Sequence, residues 1–312
     1  MLTSIFLLAF CGLSWTAIGC IVSACNRKGG VYGIVQGWYS LWVAVVALLL
    51  LALARVTPEC MNYMTAWPAN RTVGTTVAGC LFLGGVLNYL VFIFTGKAMA
   101  IGHTGLTWAM MQSSLVSTFL MGVFCFGEVP APLKVIGVVL IIAGLFFMSC
   151  SHNTNGASDP GQKRRWIILT LVAMVISMGT QCLCTLPSFW LDGADQASTA
   201  YRTFWNSLGM VLCFVLHAIL DKGLRRLPTR LENGYVAILG GFGVATGIVV
   251  FYHALDMLRP YGLAGIGYPV ALGVCILGVE LYSVFFTKEK TALLGWLGIL
   301  VCIAGIVALS CN

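Results

Sequence analysis

The stretch EVPAPLKVIGVVLIIAGLFFMSC, Glu128 to Cys150, is spoken a second time at the end of the chain as EKTALLGWLGILVCIAGIVALSC, Glu289 to Cys311. At an offset of 161 residues the two share Glu128/Glu289, Ala131/Ala292, Leu133/Leu294, Gly137/Gly298, Ile142/Ile303, Ala143/Ala304, Gly144/Gly305, Ser149/Ser310 and Cys150/Cys311. The match continues upstream through Leu120/Leu281, Val123/Val284 and Phe124/Phe285. One hairpin earlier, Leu83-Gly84-Gly85 and Ala98 meet Leu239-Gly240-Gly241 and Ala254 at an offset of 156. The second copy therefore carries extra residues near Arg259-Pro260-Tyr261.

Composition says what kind of unit is repeated. Charged residues make up 9% of the chain and hydrophobic ones 59%. A water-soluble domain carries about a quarter charged residues, so the solvent here is lipid. Backbone amides in hydrocarbon must be satisfied within a helix or a closed barrel. The apolar runs are continuous and lack the alternation of barrel strands, so the expected class is all-α integral membrane. Ten spans are predicted at about 3–24, 32–54, 72–95, 98–126, 132–150, 165–185, 198–220, 234–253, 261–286 and 291–310. Each is close to the ~20 residues that cross a bilayer. The first span lacks a positive n-region and a small-residue cleavage site, so it reads as a retained helix.

The polar segment SHNTNGASDPGQKRRW splits the spans five and five. The expected domains are 1–150 and 165–312, joined by a 151–164 linker. Because five is odd, the second copy enters the membrane from the opposite side. Such an inverted repeat, with a pseudo-two-fold axis in the membrane plane, is common in secondary transporters. The competing reading is a duplicated anchor without a pathway.

Loops 1–2, 3–4, 5–6, 7–8 and 9–10 hold Arg27, Lys28, Lys97, Lys163, Arg164, Arg165, Lys222, Arg225, Arg226, Arg230, Lys288 and Lys290. The opposite side holds Arg55, Arg71, Lys134, Arg202 and Arg259. The positive-inside rule then places the first set in the cytoplasm and both termini outside, in a cell inner membrane. The net charge of +7 is mostly this rim and needs no nucleic acid. The thirteen cysteines lie mainly in apolar spans, where a thiol behaves as a small hydrophobe. Cys182-Leu-Cys184 has neither zinc nor CxxC spacing. Asn70-Arg71-Thr72 matches a glycosylation sequon beside a helix and reads as chance.

LMGVFCFGEVPAPLKVIGVVLIIAGLFF and LYSVFFTKEKTALLGWLGILVCIAGIVAL resemble the fourth-to-fifth and ninth-to-tenth helix signatures of the drug/metabolite transporter superfamily, in its ten-helix EamA-like form. The resemblance covers all ten helices and implies a carrier rather than an enzyme. Many members place their basic loops between helices 2–3 and 6–7. The reversed pattern here, with a basic first loop CNRKGG, is closer to the rhamnose and glucose uptake branches.

Polar groups deep in spans mark a pathway, because lipid penalises them. Glu280 is the one carboxylate predicted well inside a span. Desolvation favours the neutral form of a carboxyl, which suits a proton carrier, a coupling role, or a counter-ion for a cationic group. A bland alternative is snorkelling or pairing with Lys288. Polar and aromatic candidates for substrate contact are Gln36, Asn88, His103, Trp108, Gln112, Trp205, Asn206, His253 and Tyr268. Flat aromatic faces beside amides suit a sugar ring or another neutral polar metabolite. Trp38, Tyr39, Arg202 and Tyr252 sit near helix ends and read instead as an interfacial belt. No HExxH, GxSxG or Walker loop is present, and His103, His217 and His253 have no metal spacing, so neither catalysis nor a cofactor is expected. The expected activity is secondary transport of a small polar, sugar-like metabolite by alternating access, as a monomer or weak dimer. The alternative is a proton-coupled exporter of amphipathic or cationic compounds with Glu280 as charge partner.

Overall fold

The computed structural model describes residues 2–57, 59, 62–127, 132–151, 160–190, 197–261, 267–289 and 292–310. Every regular element among them is helical. The first half comprises α1 (Leu2–Arg27), α2 (Tyr32–Val56), α3 (Arg71–Ile101), α4 (Thr104–Gln112), α5 (Val116–Phe126) and α6 (Pro132–Ser151). The second comprises α7 (Pro160–Trp190), α8 (Thr199–Leu220), α9 (Arg230–Gly243), α10 (Tyr252–Leu258), α11 (Gly267–Phe285) and α12 (Leu293–Ser310). A 3₁₀ turn, Ser113–Leu115, joins α4 to α5, and a π-helix, Val244–Phe251, joins α9 to α10. Among the described residues, seven helical stretches are long and apolar enough to cross a membrane, and three shorter apolar helices accompany them. Large apolar side chains such as Phe124, Val139, Phe146, Ile219 and Phe286 are exposed. Water would penalise that much open apolar surface; lipid tails do not. The fold fits a helical membrane protein.

Local chemistry sets helix ends that hydropathy blurs. The break expected near residue 97 lies at Gly102-His103 instead. Gly102 closes α3 by donating its N–H to the Ala98 carbonyl at 2.9 Å, and His103 is the N-cap of α4. His103 is thus at a helix end rather than in mid-span. The 151–164 linker is shorter than expected: α7 starts at Pro160, a residue suited to a first helical turn, and 152–159 lie outside the described residues. α9 starts at Arg230, earlier than expected, because Thr229 and Glu232 form a reciprocal capping box. Asn70 caps α3 by accepting from the N–H groups of Thr72 and Val73, so its amide has a structural partner.

The basic connections gather at one end of the bundle. Arg27 reaches Glu289 and the Thr287 carbonyl, linking the first connection to the one before α12. Glu289 accepts from Thr104, and Gln162 donates to the Ile101 carbonyl, which adds the starts of α4 and α7. Arg226 holds Glu232, which accepts from the Val31 N–H at 2.8 Å, and this adds the connection before α9. At the opposite end Tyr63 stacks on His253 with ring centroids 4.1 Å apart, and the Thr199 N–H donates to the Tyr63 carbonyl.

The repeated stretches pack on each other. A Cβ added to Gly144 would lie 2.6 Å from the Gly298 carbonyl oxygen, and one added to Gly305 would lie 2.7 Å from that of Gly137. Cys302 Sγ sits 3.6 Å from the Ile141 carbonyl between them. The helices α6 and α12 therefore cross antiparallel, with each glycine opposite the repeat mate of the other. Elsewhere α3 packs on α7 and α8, α2 on α8 and α9, α1 on α11, and α4 on α11 and α7. Small residues at such crossings let backbones approach in lipid, where no hydrophobic drive exists between helices. Gly144→Leu or Gly305→Leu should each lower stability in detergent by about 1–3 kcal/mol, the usual cost of overpacking. A thermal melt of the purified variants checks this, with exposed Gly241→Leu, whose added Cβ meets nothing within 4 Å, as the unaffected control.

Candidate binding cavity

A cavity of about 160 Å³ lies at the centre of the bundle. Helices of both halves wall it: α1 to α4 from the first, and α7 to α11 from the second. The short helices α6 and α12 contribute nothing to it among the described residues. Trp15, Phe251 and Tyr268 form one aromatic face, with centroids 5.1 Å (Trp15–Phe251), 5.9 Å (Trp15–Tyr268) and 5.2 Å (Phe251–Tyr268) apart. Phe92 and Trp108 stack at 6.3 Å on another. The amides of Asn88, Gln112, Gln181 and Asn206 and the hydroxyls of Ser177, Thr180, Thr203, Ser207 and Thr246 supply polarity. Among the described lining residues none is Asp, Glu, Lys, Arg or His.

These side chains are held by partners behind them. Trp108 is fully buried and donates its indole N–H to Cys275 Sγ at 3.1 Å. Gln181 donates to Ser114 at 2.6 Å and Ser177 at 3.2 Å, while its carbonyl oxygen has no partner. The Thr203 hydroxyl is likewise without a hydrogen bond. Asn206 donates to the Leu81 carbonyl at 3.3 Å and lies 3.6 Å from Cys184 Sγ. An unmade hydrogen bond on a buried polar group costs about 1–3 kcal/mol, and both Gln181 and Thr203 line the cavity.

The cavity unites Asn88, Trp108, Gln112, Asn206 and Tyr268 from the residues expected on sequence grounds. Gln36 is buried one layer out, where it accepts from Tyr32 at 2.8 Å and its amide N–H points at Met210 Sδ, a lining atom, at 3.4 Å. Trp205 packs among Tyr201 and Phe204. His253 stacks on Tyr63, and His103 caps α4; none of these three lines the cavity. Tyr39 and Tyr252, expected in an interfacial belt, are buried lining residues instead. Glu280 is fully buried but outside the lining: its carboxylate lies against Gly105 in the first turn of α4, beside Ser283. It is joined by a second fully buried acid, Glu232.

Sequence reasoning passed over α7 altogether, although a signal was present. Ser177, Thr180, Gln181 and Cys184 recur at i, i+3, i+4 and i+7, and so do Thr203, Asn206, Ser207 and Met210. That spacing defines one helix face. Read as paired polar stripes, the two sets would have marked the facing walls.

Arg202, expected in the belt as well, is 1% exposed. It donates to Asp256 at 2.9 Å and Ser188 at 2.9 Å, and its guanidinium carbon lies 5.7 Å from the Tyr252 ring. The pair ties α8 to α10 and α7 just outside the cavity.

No family model and no curated protein matches the chain. It is similar to a solved structure described as "Crystal structure of protein", with a TM-score of 0.61 and 15% identity over 98% of this chain and 96% of that one. That likeness is one of fold alone.

Arg202→Met should destabilise the protein by about 3 kcal/mol, the low end for removing one partner of a buried pair, because Asp256 keeps 20% exposure. Arg202→Met with Asp256→Leu should recover most of that loss in a thermal or denaturant melt, since no charge is then left behind.

Proposed function

We propose that the chain is a membrane-embedded secondary transporter that moves a small polar organic metabolite by alternating access between two inverted five-helix repeats. The observation that carries this reading is the central cavity, shared by the first four spans of each half and free of ionised side chains among its described lining. Rocking one half on the other would present such a cavity to each side in turn. The α6–α12 crossing supports the inverted repeat, because an antiparallel contact in which repeat mates face each other is what a two-fold axis produces. The pairings α3 with α7 and α1 with the α9–α10 rod exchange under the same operation, as do α1 with α11 and α7 with α4. On this reading the chain is a drug/metabolite transporter of the EamA-like kind, ten spans long, with its basic end in the cytoplasm and its termini outside.

Aromatic faces plus amides favour a neutral substrate with hydroxyls or amides on a flat ring, sugar-like in size. Glu280 touches α4 rather than the cavity, so its role here is coupling, not substrate contact. Deprotonation of a carboxyl buried beside a helix N-terminus would be sensed by α4, which carries Trp108 and Gln112.

Counterflow in proteoliposomes tests the proposal. Vesicles preloaded with the right metabolite, found by thermal-shift screening of sugars, nucleosides, amino acids and quaternary amines, should take up labelled substrate only when the protein is present. Chemical turnover of any screened compound, or no counterflow with a compound that binds, sinks it. Glu280→Gln should abolish accumulation against a gradient while exchange persists. Unchanged accumulation with an unchanged pH profile would make Glu280 structural.

A further inference from the structure

One turn beyond Trp108, at the basic end, three chain segments from both halves meet on a single carboxylate. Glu289, in the connection between α11 and α12, accepts the Thr104 N–H at 2.8 Å and the Thr104 hydroxyl at 2.7 Å. The Arg27 guanidinium at the end of α1 also donates to it. His103 Nδ1 lies 3.0 Å from its second oxygen and 3.2 Å from the Leu106 nitrogen. Ser23 of α1 meets the Thr104 hydroxyl at 3.2 Å.

We propose that Glu289 is the latch that closes the basic end of the cavity, resting on the alternating-access reading above. Each of these side-chain contacts crosses the boundary between the halves. α1 and α4 belong to the first and residue 289 to the second, so no relative rocking that opens this end leaves them intact. The latch also sits where it controls the cavity floor. Trp108 follows Thr104 by four residues, about 6 Å along the helix. Its ring packs on Gly19 of α1, 3.1 Å from where a Cβ would be, and its N–H meets Cys275 of α11. Freeing the start of α4 frees the residue that plugs the space between α1 and α11.

Two parts of the latch differ in weight. Arg27 is 46% exposed, so its ion pair with Glu289 is screened and contributes little. The carboxylate on the α4 N-terminus satisfies an N–H that has no partner within the helix and meets the positive end of its dipole. The essential element is therefore a negative acceptor at 289, not a charge pair between 27 and 289.

The test uses the full-length protein in membrane vesicles of each orientation. A membrane-impermeant thiol reagent is applied, and mass spectrometry follows Cys184, a thiol in the cavity wall. Glu289→Gln should speed labelling from the basic end about tenfold, equivalent to ~1.4 kcal/mol of population shift, and slow it from the other end. Thr104→Val removes one donor and keeps the backbone N–H, so it should fall between; it also serves if Glu289→Gln folds poorly. Arg27→Ala should move the rate less than either. The exchange Arg27→Glu with Glu289→Arg should leave labelling fast, because an arginine at 289 cannot accept from α4. Wild-type rates in both Glu289→Gln and Thr104→Val would overturn the latch, and rescue by the exchange would reduce it to a surface ion pair. Labelling needs no substrate. A chain that shows counterflow but ignores residue 289 loses only the latch. One that shows the latch but no counterflow with a bound compound loses only the transport reading.

Discussion

Hydrocarbon offers no hydrogen-bond partners, and that constraint orders everything else in this protein. Within the spans the backbone amides pair along the helices, and many polar side chains either bond back to a carbonyl one turn away or turn inward. Ser14, Thr16, Ser113, Thr170 and Thr246 take the first route, each donating to the carbonyl four residues earlier. Asn88, Gln112, Gln181 and Asn206 take the second. Because lipid is as apolar as leucine, sorting by hydrophobicity cannot hold the helices together, and close backbone contact does so instead. The glycines at 137, 144, 298 and 305 serve that purpose at one crossing; Gly85 against Asn206 and Gly209 against Phe82 serve it at another.

The division of labour between elements follows. The α6–α12 pair, bound through its glycines and facing lipid with Val139, Ile142 and Leu300, stands outside the cavity wall. The other spans surround the cavity and carry its irregularities: the 3₁₀ turn after α4, Pro187 within α7, and the π-helix before α10. A π-helix loosens the regular hydrogen-bond ladder and often marks a functional segment. Here Thr199 of α8 donates to the Ile248 carbonyl, and Thr246, Gly247 and Phe251 of the same segment line the cavity. In the proposed cycle a static strut and a deformable wall are the parts a rocking carrier requires.

The ion pairs near the two rims each join separate segments. Arg202 and Asp256 bind α8 to α10 at the end opposite the basic connections. Glu232 binds the start of α9 to Arg226 and Val31, and Glu289 binds α4 to α1. The cavity between these rims carries none of them. On the proposed transport reading, a charged ligand there would lose hydration without gaining a counter-charge, which favours a neutral substrate.

The helical class, the long apolar spans, the recurrence of the Glu128–Cys150 stretch at Glu289–Cys311 and the gathering of basic connections at one end were legible in the residues themselves. Composition, run length and loop charge are local quantities, and lipid imposes the same demand on every segment. Part of the cavity was legible too, since Asn88, Trp108, Gln112, Asn206 and Tyr268 are polar or aromatic groups where lipid should not find them. What only the tertiary structure decided is which faces meet. Tyr39 and Tyr252 look like belt residues until helix packing turns them inward, and Arg202 looks interfacial until Asp256, 54 residues on, comes beside it. Glu280 and Glu289 share the start of α4 although they are far from it in sequence, and His103 became a cap because Gly102 ended the helix before it. Rotation of a helix about its axis and the partner it meets are set by contacts between distant segments, and no window of sequence contains those contacts.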